Sequence, residues 1–399
     1  MDRDALLPRG RSAVVIVVVG LVAVTFNLIF ARTLHLEPVG VLGFGLFCLG
    51  YGAIVASRSR SQEQEASAVG KRHFPPREEY GSRVGRNPGP QRFDLPRVAA
   101  RPCHALTIDL EDYFHTEVAS QGVSFTDWEQ QPSRIEASTH RLIDLLEHNQ
   151  TRATFFVLGW VAKRYPWLVR EIHQRGHEVG CHSLDHRLVC RMKAAEFEAT
   201  TRQAKDLIES IVQEPVLGYR APCFSITPGC EWAFDSLAEL GFTYDSSVHP
   251  VRHPLYGNPN APRGAYSVAE GRLLEIPIAT WKIAGRNLSV GGGAYLRLLP
   301  YQYIHRGLVA WEKQMQTPAM LYLHPWEIDP YQPYIRLPLQ SKIRQTWGTT
   351  TMETKLQRLL AHFSFAPVRE VHRHVLEHKG AQAAKRAFEQ ADTVAQVAG

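Results

Sequence analysis

The chain has 399 residues, 44% hydrophobic and 21% charged. That balance is ordinary for a globular protein and excludes a wholly disordered, collagen-like or disulfide-scaffold chain. The net charge of +6 is unevenly placed: residues 1–56 carry four Lys/Arg against three Asp/Glu, residues 57–101 ten against five, and residues 102–399 thirty-one of each. A neutral C-terminal part argues against a nucleic-acid footprint there. Cys48, Cys103, Cys181, Cys190, Cys223 and Cys230 form no CxxC pair, so a thiolate zinc site is not expected and free thiols in a reducing compartment are.

Two uncharged stretches, 13–31 and 38–56, are each 19 residues long and are separated only by residues 32–37. About 20 helical residues span a bilayer core, so the pair reads as a transmembrane hairpin. A signal peptide is the rival for the first stretch, since Arg3, Arg9 and Arg11 precede it, but its apolar run is long and a second follows at once. Arg58, Arg60, Lys71 and Arg72 follow the second stretch and the connecting loop has only Arg32. The positive-inside rule then puts both ends in the cytoplasm. Residues 57–101, rich in Arg, Ser, Gly, Pro and Glu without hydrophobic period, are expected to form a flexible basic linker. It either lies against anionic headgroups or is a plain spacer.

Beyond residue 101, β-type runs alternate with helical patterns. Strands are expected at 104–109, 154–158, 177–181, 216–221, 242–245, 273–276 and 320–324. Helices are expected from Ser133 with Glu136 as a capping box, over 160–175, 194–212, from Thr227 and Pro228 to Gly241, and over 352–362. A charged, Ala-rich tail, 373–399, follows a domain spanning 102–372. Repeated β-then-α units imply parallel strands, in a doubly wound sheet or a (β/α) barrel. Asp109, His182, Arg220, Asp245 and His324 all fall at strand ends, where barrels carry their chemistry, and this predicts one shared mouth.

His182 and His186 are four residues apart, a spacing that puts both imidazoles on one face of a helical turn, able to hold one divalent ion. Two surface histidines are the bland alternative. A third ligand is sought in the carboxylates of Asp109-Leu110-Glu111-Asp112. Such a set leaves a position open for water. A spare carboxylate beside it could take a proton, and His324 is a candidate donor to a leaving group. Asp245 could orient the His324 ring and Arg220 could neutralise the base; a turn residue and a structural salt bridge are their plainer readings. Gly291–Gly293 reads as a tight turn or as a place where a sugar approaches the backbone. Tyr113, Phe114, Trp281 and Trp326 are either sugar-stacking or core residues, and Cys181 and Cys223 are expected in barrel packing.

TIDLED, HSLDH, RAPCF, YDSS and LHP, in this order, resemble the five motifs of the polysaccharide deacetylase family (NodB-homology, carbohydrate esterase family 4) over residues 102–372. DLEDYFH, PWEIDP and GRNLSVGGGAYLRLLPY are closer to exosortase-associated polysaccharide deacetylases of exopolysaccharide clusters. The resemblance implies a distorted (β/α) barrel, a divalent metal of zinc type, and hydrolysis of N-acetyl groups on amino sugars. Position by position, Asp109 resembles the catalytic base, His182 and His186 the metal ligands, Arg220 the residue holding the base, His324 the acid and Asp245 its partner. The common pattern has adjacent aspartates, the second a metal ligand; here Leu110 stands there, leaving Glu111 or Asp112. Glu111 is favoured because residues two apart in a strand share a face with Asp109.

The sequence thus predicts a metal-dependent deacetylase of N-acetylhexosamine units in an exopolysaccharide or its lipid-linked precursor. It is expected in a bacterial inner membrane, its catalytic domain cytoplasmic, beside other exopolysaccharide biosynthesis proteins. A catalytically silent carbohydrate-binding scaffold is the alternative, and a hydrolase of a small amide or cyclic ureide is a third.

Overall fold

The computed structural model describes residues 102–253 and 256–377. The expected hairpin, the linker and tail residues 378–399 lie outside the described residues. Among those described, no helix is long and apolar enough to cross a membrane. The elements run β1 (Cys103–Leu110), α1 (Ile135–His148), β2 (Thr154–Val157), α2 (Gly159–Arg164), α3 (Pro166–Gln174), β3 (Glu178–Cys181), α4 (Ala194–Val212), β4 (Gly218–Tyr219), α5 (Trp232–Glu239) and β5 (Tyr244–Asp245). Then follow β6 (Tyr266–Val268), β7 (Leu273–Glu275), a hairpin of β8 (Thr280–Ile283) and β9 (Arg286–Ser289), α6 (Ala294–Leu298) and α7 (Tyr301–Met315). The last elements are β10 (Met320–Leu323), α8 (Leu339–Thr346), α9 (Thr349–His362), β11 (Ser364–Ala366) and α10 (Val368–Val371).

β1 is buried along almost its whole length, as a continuous apolar run in a parallel sheet should be. It pairs in parallel with β2 on one side and β10 on the other. The strand order is β10-β1-β2-β3-β4-β5-β7-β6, parallel throughout except β6 on β7. The chain leaving β7 then carries the sheet round: Ile278 N–H donates to the Val248 carbonyl at 3.3 Å and Ala279 N–H to the Met320 carbonyl at 3.0 Å. The result is a curled, barrel-like α/β sheet. At its lower end Glu178 accepts from Thr154 Oγ1 at 2.6 Å, Tyr244 Oη at 2.9 Å and the Arg369 N–H at 3.0 Å. Val368 N–H donates to Thr154 Oγ1, so this buried carboxyl docks α10 onto the barrel floor.

Several expected elements shift for local reasons. The helix expected over 160–175 is two helices, because Pro166 sits at the start of α3 and ends α2 before it. The helix expected from Thr227 begins only at Trp232, with Thr227 N–H donating to Cys230 Sγ in a preceding turn. Glu136 does not close a capping box; it accepts from the Trp167 indole N–H instead. The β8–β9 hairpin and α6, α7, α8 had no expectation.

Gly291–Gly293 is not a place for sugar to approach, because Tyr322 covers it. Tyr322 N–H donates to the Gly291 carbonyl at 2.6 Å and Gly293 N–H to the Tyr322 carbonyl at 2.9 Å. A Cβ on Gly292 would lie 1.7 Å from the Tyr322 oxygen, at φ +128°. Gly292→Ala should therefore cost at least about 3 kcal/mol, from overpacking and strain together. Gly285→Ala, at φ +79° with nothing within 4 Å, should cost about 1–2 kcal/mol. Urea unfolding of the two variants checks the contrast; equal losses would remove the packing explanation.

Candidate active site

The upper strand ends bring the chemistry together. After Asp109 the chain makes a tight turn, Glu111 N–H donating to the Asp109 carbonyl at 2.9 Å. Leu110 is buried in the core, and the carboxylates on either side of it both face the mouth. This accounts for the apolar residue between the acids: the turn, rather than an adjacent pair, delivers the second carboxylate.

His182 continues β3, its N–H donating to the Val157 carbonyl. Its Nδ1 lies 2.7 Å from the Arg220 carbonyl oxygen. A carbonyl only accepts, so Nδ1 carries the proton and Nε2 is turned to Glu111 Oε1 at 2.8 Å. His186 Nε2 meets the same oxygen at 3.0 Å. The expected helical turn is absent; Ser183 and His186 both have left-handed backbones, φ +64° and +60°, and Ser183 Oγ accepts the His186 N–H at 3.2 Å. Burial would raise the Glu111 carboxyl, but the His186 charge and the two imidazole hydrogen bonds hold it well below its ordinary range. Burial would likewise depress His186, and Glu111 raises it.

Glu111, His182 and His186 thus offer three ligand atoms within 4.8 Å of one another, all buried. An imidazole lone pair facing a buried carboxylate oxygen needs a proton or a cation between them. Two imidazoles and one carboxylate are a donor set that suits zinc and several other divalent ions, and the His182 Nδ1 bond to a carbonyl is the outer support that metal-binding imidazoles usually have. Asp112, the other candidate, is committed elsewhere. Its Oδ2 accepts from Ser133 Oγ at 2.7 Å, Arg134 N–H at 2.8 Å and Ile135 N–H at 3.1 Å, so it caps α1 from a distance and faces away from the imidazoles.

Arg220 holds Asp109. Its Nη1 donates to Asp109 Oδ1 at 2.8 Å and Thr107 Oγ1 at 2.7 Å, while Nε and Nη2 donate to the Ser246 carbonyl and hydroxyl. Asp109 Oδ2 is left facing His324 Nε2 at 3.9 Å. Asp245 does not reach that imidazole. Its Oδ1 accepts from Ser247 Oγ at 2.6 Å, and that oxygen accepts the Ala221 N–H, so Asp245 shapes the turn that supports Arg220. Burial raises Asp245 to about 6 and its neighbour Glu275 well above the carboxylate range.

The partner of His324 is Glu327, which the sequence reading missed. Glu327 Oε2 lies 3.1 Å from His324 Nδ1 and accepts the His324 N–H at 3.2 Å. Its Oε1 accepts from Arg297 Nε at 3.1 Å. All of this pair is buried. Burial alone would lower the His324 imidazole; the Glu327 hydrogen bond, with the charges of Glu111, Glu327 and Asp109, pushes it up to about 9. Glu327 is held low by His324 and Arg297 against its burial. A signal existed: Glu327 is three residues beyond His324 in a short helical turn, and Arg297 is a lone charge in an apolar run. Trp326 stacks on the His324 ring at 5.2 Å and 27°. Tyr113 and Phe114 are core residues, each 1% exposed, and Trp281 packs on Tyr303. Cys181 is buried and Cys223 half-buried, and the five described cysteines are free.

Residues 119–244 match the polysaccharide deacetylase family model. That stretch, just under a third of the chain, is similar to polysaccharide deacetylases. Residues 246–373 match a domain of unknown function, DUF3473. A peptidoglycan-N-acetylglucosamine deacetylase of Bacillus cereus is 33% identical over 21% of this chain and 39% of its own length. A chitooligosaccharide deacetylase of Rhizobium leguminosarum bv. trifolii is 38% identical over 18% of this chain and 33% of its own. The chain thus spans well under half of these curated relatives. A family 4 carbohydrate esterase from Streptomyces lividans, solved with acetate, aligns with a TM-score of 0.37 at 15% identity, over 67% of this chain and 91% of that one.

The geometry separates the two acidic candidates. In a zinc titration by calorimetry, Glu111→Ala should abolish the tight site. Asp112→Ala should keep it, while costing about 1–2 kcal/mol of stability through the lost cap. Tight zinc binding by Glu111→Ala would remove Glu111 from the ligand set.

Proposed function

We propose that this chain is a divalent-metal-dependent deacetylase acting on N-acetylhexosamine units of an exopolysaccharide or its lipid-linked precursor. The carrying observation is the pairing, across one mouth, of an ion-paired carboxylate (Asp109) with an imidazole held in its charged form (His324), beside the Glu111–His182–His186 cluster. A silent scaffold has no use for a matched acceptor and donor. The deacetylase names of the relatives support amide hydrolysis on N-acetylated sugars. The DLEDYFH and PWEIDP segments, which resemble exosortase-associated enzymes, support an exopolysaccharide. Membrane anchoring through 13–31 and 38–56, with the domain on the cytoplasmic side, is part of this proposal; reporter fusions at each terminus test it, and an external C-terminus would overturn the orientation.

A divalent ion held by Glu111, His182 and His186 supplies Lewis acidity towards the acetyl carbonyl and makes water a better nucleophile near neutral pH. The chain's own residues do the rest. Arg220 occupies Asp109 Oδ1 and leaves Oδ2 as the open acceptor, so Asp109 takes the proton from water as its oxygen bonds the acetyl carbon. Four of the five Arg220 N–H groups donate to the protein, so it orients the base rather than binding substrate. His324, with Nδ1 fixed by Glu327, presents Nε2–H to the departing nitrogen. The C–N bond breaks, the amine takes that proton, and acetate is the other product.

Positioned proton transfer contributes about 10²–10⁴-fold, so Asp109→Asn should lower acetate release by about that factor while zinc still binds. Acetate release from N-acetylated oligosaccharides, with and without a chelator, tests the whole reading; release indifferent to chelation would sink the metal assignment.

The His324 proton is needed in the reaction and is lost as pH rises towards about 9. Activity should therefore fall on the alkaline side in that region. Glu327→Gln removes a negative neighbour, which favours the neutral ring and moves the fall to lower pH, towards the ordinary imidazole range near 6.5. A pH–rate profile of kcat checks the direction; an unmoved alkaline fall would dissociate Glu327 from the acid.

A further inference from the structure

Arg344 is a cation without an assigned task. It lies on α8, and α8 is fixed over the mouth from two sides. Next to it, Gln345 is buried, its Nε2 donating to the Tyr113 carbonyl at 2.8 Å and its Oε1 accepting from Thr116 Oγ1 at 3.2 Å. Those partners belong to the loop that follows Glu111. On the other side, the Arg344 and Trp347 carbonyls accept from Arg297 Nη2 and Nη1, the guanidinium behind Glu327 and His324. The backbone of Arg344 is therefore held between the two walls of the site.

Its guanidinium is only partly exposed, yet it meets no acceptor among the described residues. Arg134, Arg220, Arg263, Arg272 and Arg297 are likewise partly or wholly buried, and each donates to a carboxylate or a carbonyl. The Arg344 charge acts on Cys223, on Tyr256 and Tyr295, and on Arg297, itself a cation. The Cys223 thiol also feels Glu111 and Asp109, so Arg344 and the reacting centre act on the same thiol. A partly desolvated cation beside another cation, with no anion of its own, is unfavourable until an anion arrives. Between the His324 turn and α8, Tyr331 is 73% exposed, a flat apolar surface of the kind that accepts a sugar ring, while Tyr334 carries Lys342 Nζ over its ring at 4.7 Å.

We propose that Arg344 binds an anionic group, carboxylate or phosphate, carried by the sugar chain in the mouth, so that the natural substrate is an acidic N-acetylated glycan. This rests on the deacetylase reading above and specifies its substrate class. A guanidinium grips either oxyanion with two parallel hydrogen bonds.

The test uses the zinc-loaded full chain and three probes: a hexasaccharide of alternating glucuronate and N-acetylglucosamine, a chito-oligosaccharide bearing a pyrophosphate at its reducing end, and neutral chitohexaose. Binding is measured by calorimetry and acetate release in parallel. At least one anionic probe should bind more tightly than chitohexaose. Arg344→Gln should weaken that probe about tenfold more than it weakens chitohexaose, with Arg344→Lys in between; the preferred arm tells a uronate from a lipid-linked phosphate. Anionic probes that bind no better than chitohexaose, or an Arg344→Gln loss equal on all three, would overturn the inference. Selective anion binding without acetate release from any arm would leave Arg344 its role and overturn the deacetylase reading, and acetate release from chitohexaose with no anion preference would do the reverse. Unchanged thermal unfolding of Arg344→Gln separates a lost contact from a lost fold.

Discussion

The buried guanidinium of Arg220 is the contact on which the site's geometry depends. It touches β1 through Thr107 and Asp109, the turn after β5 through Ser246, and β3 through its own carbonyl, which fixes the tautomer of His182. The faces of Phe156 and Tyr322 lie 4.3 and 5.6 Å from its carbon. A fully buried cation is costly unless its donors are met, and here four of the five N–H groups have acceptors. The chain therefore folds with these strand ends in one register or leaves a charge unpaired in the core. Asp109, the imidazole that faces Glu111, and the Asp245 turn are all placed by that single requirement.

Much of this was legible in the sequence because it lies in short, local patterns. β1, β2, β3 and β10 are apolar runs ending in a polar residue, and the parallel sheet follows from their alternation with helices. His182, His186, Asp109, Arg220 and His324 announce themselves as chemical side chains at strand ends. What was not legible depends on contacts between distant segments. Asp112 looks like a metal ligand beside Glu111 until Ser133 and the α1 N-terminus claim its oxygens. Asp245 looks like the partner of His324 until Ser247 and Glu275 are seen around it. The β8–β9 hairpin carries mixed polar and apolar residues on a half-exposed surface, and such strands give little alternation to read.

The two regions recognised by separate family models are one fold. β10 belongs to the second region and β2 to the first, and both pair with β1, which precedes either match. The site has the same composite origin. Asp109 and Glu111 come from the segment before the matches, His182, His186 and Arg220 from the first, and His324, Glu327 and Arg297 from the second. A domain of unknown function thus supplies the donor half of the proposed acid–base pair and the strand that carries the sheet round to it.

Two arginines give the two halves their opposite characters. Arg220 binds Asp109 directly, taking one oxygen and leaving the other as an acceptor. Arg297 acts one carboxylate further away: it holds Glu327 ionised, and Glu327 in turn holds the proton on His324. The same kind of buried cation therefore sustains an acceptor at one step's distance and a donor at two. Because Arg297 is anchored by the Arg344 and Trp347 carbonyls of the α8 segment, the proton on His324 depends on α8 being seated. Since α8 is also held by Gln345 to the loop after Glu111, displacing it would disturb the donor and the cluster together. The helix that roofs the mouth is thereby part of the machinery that sets its charges.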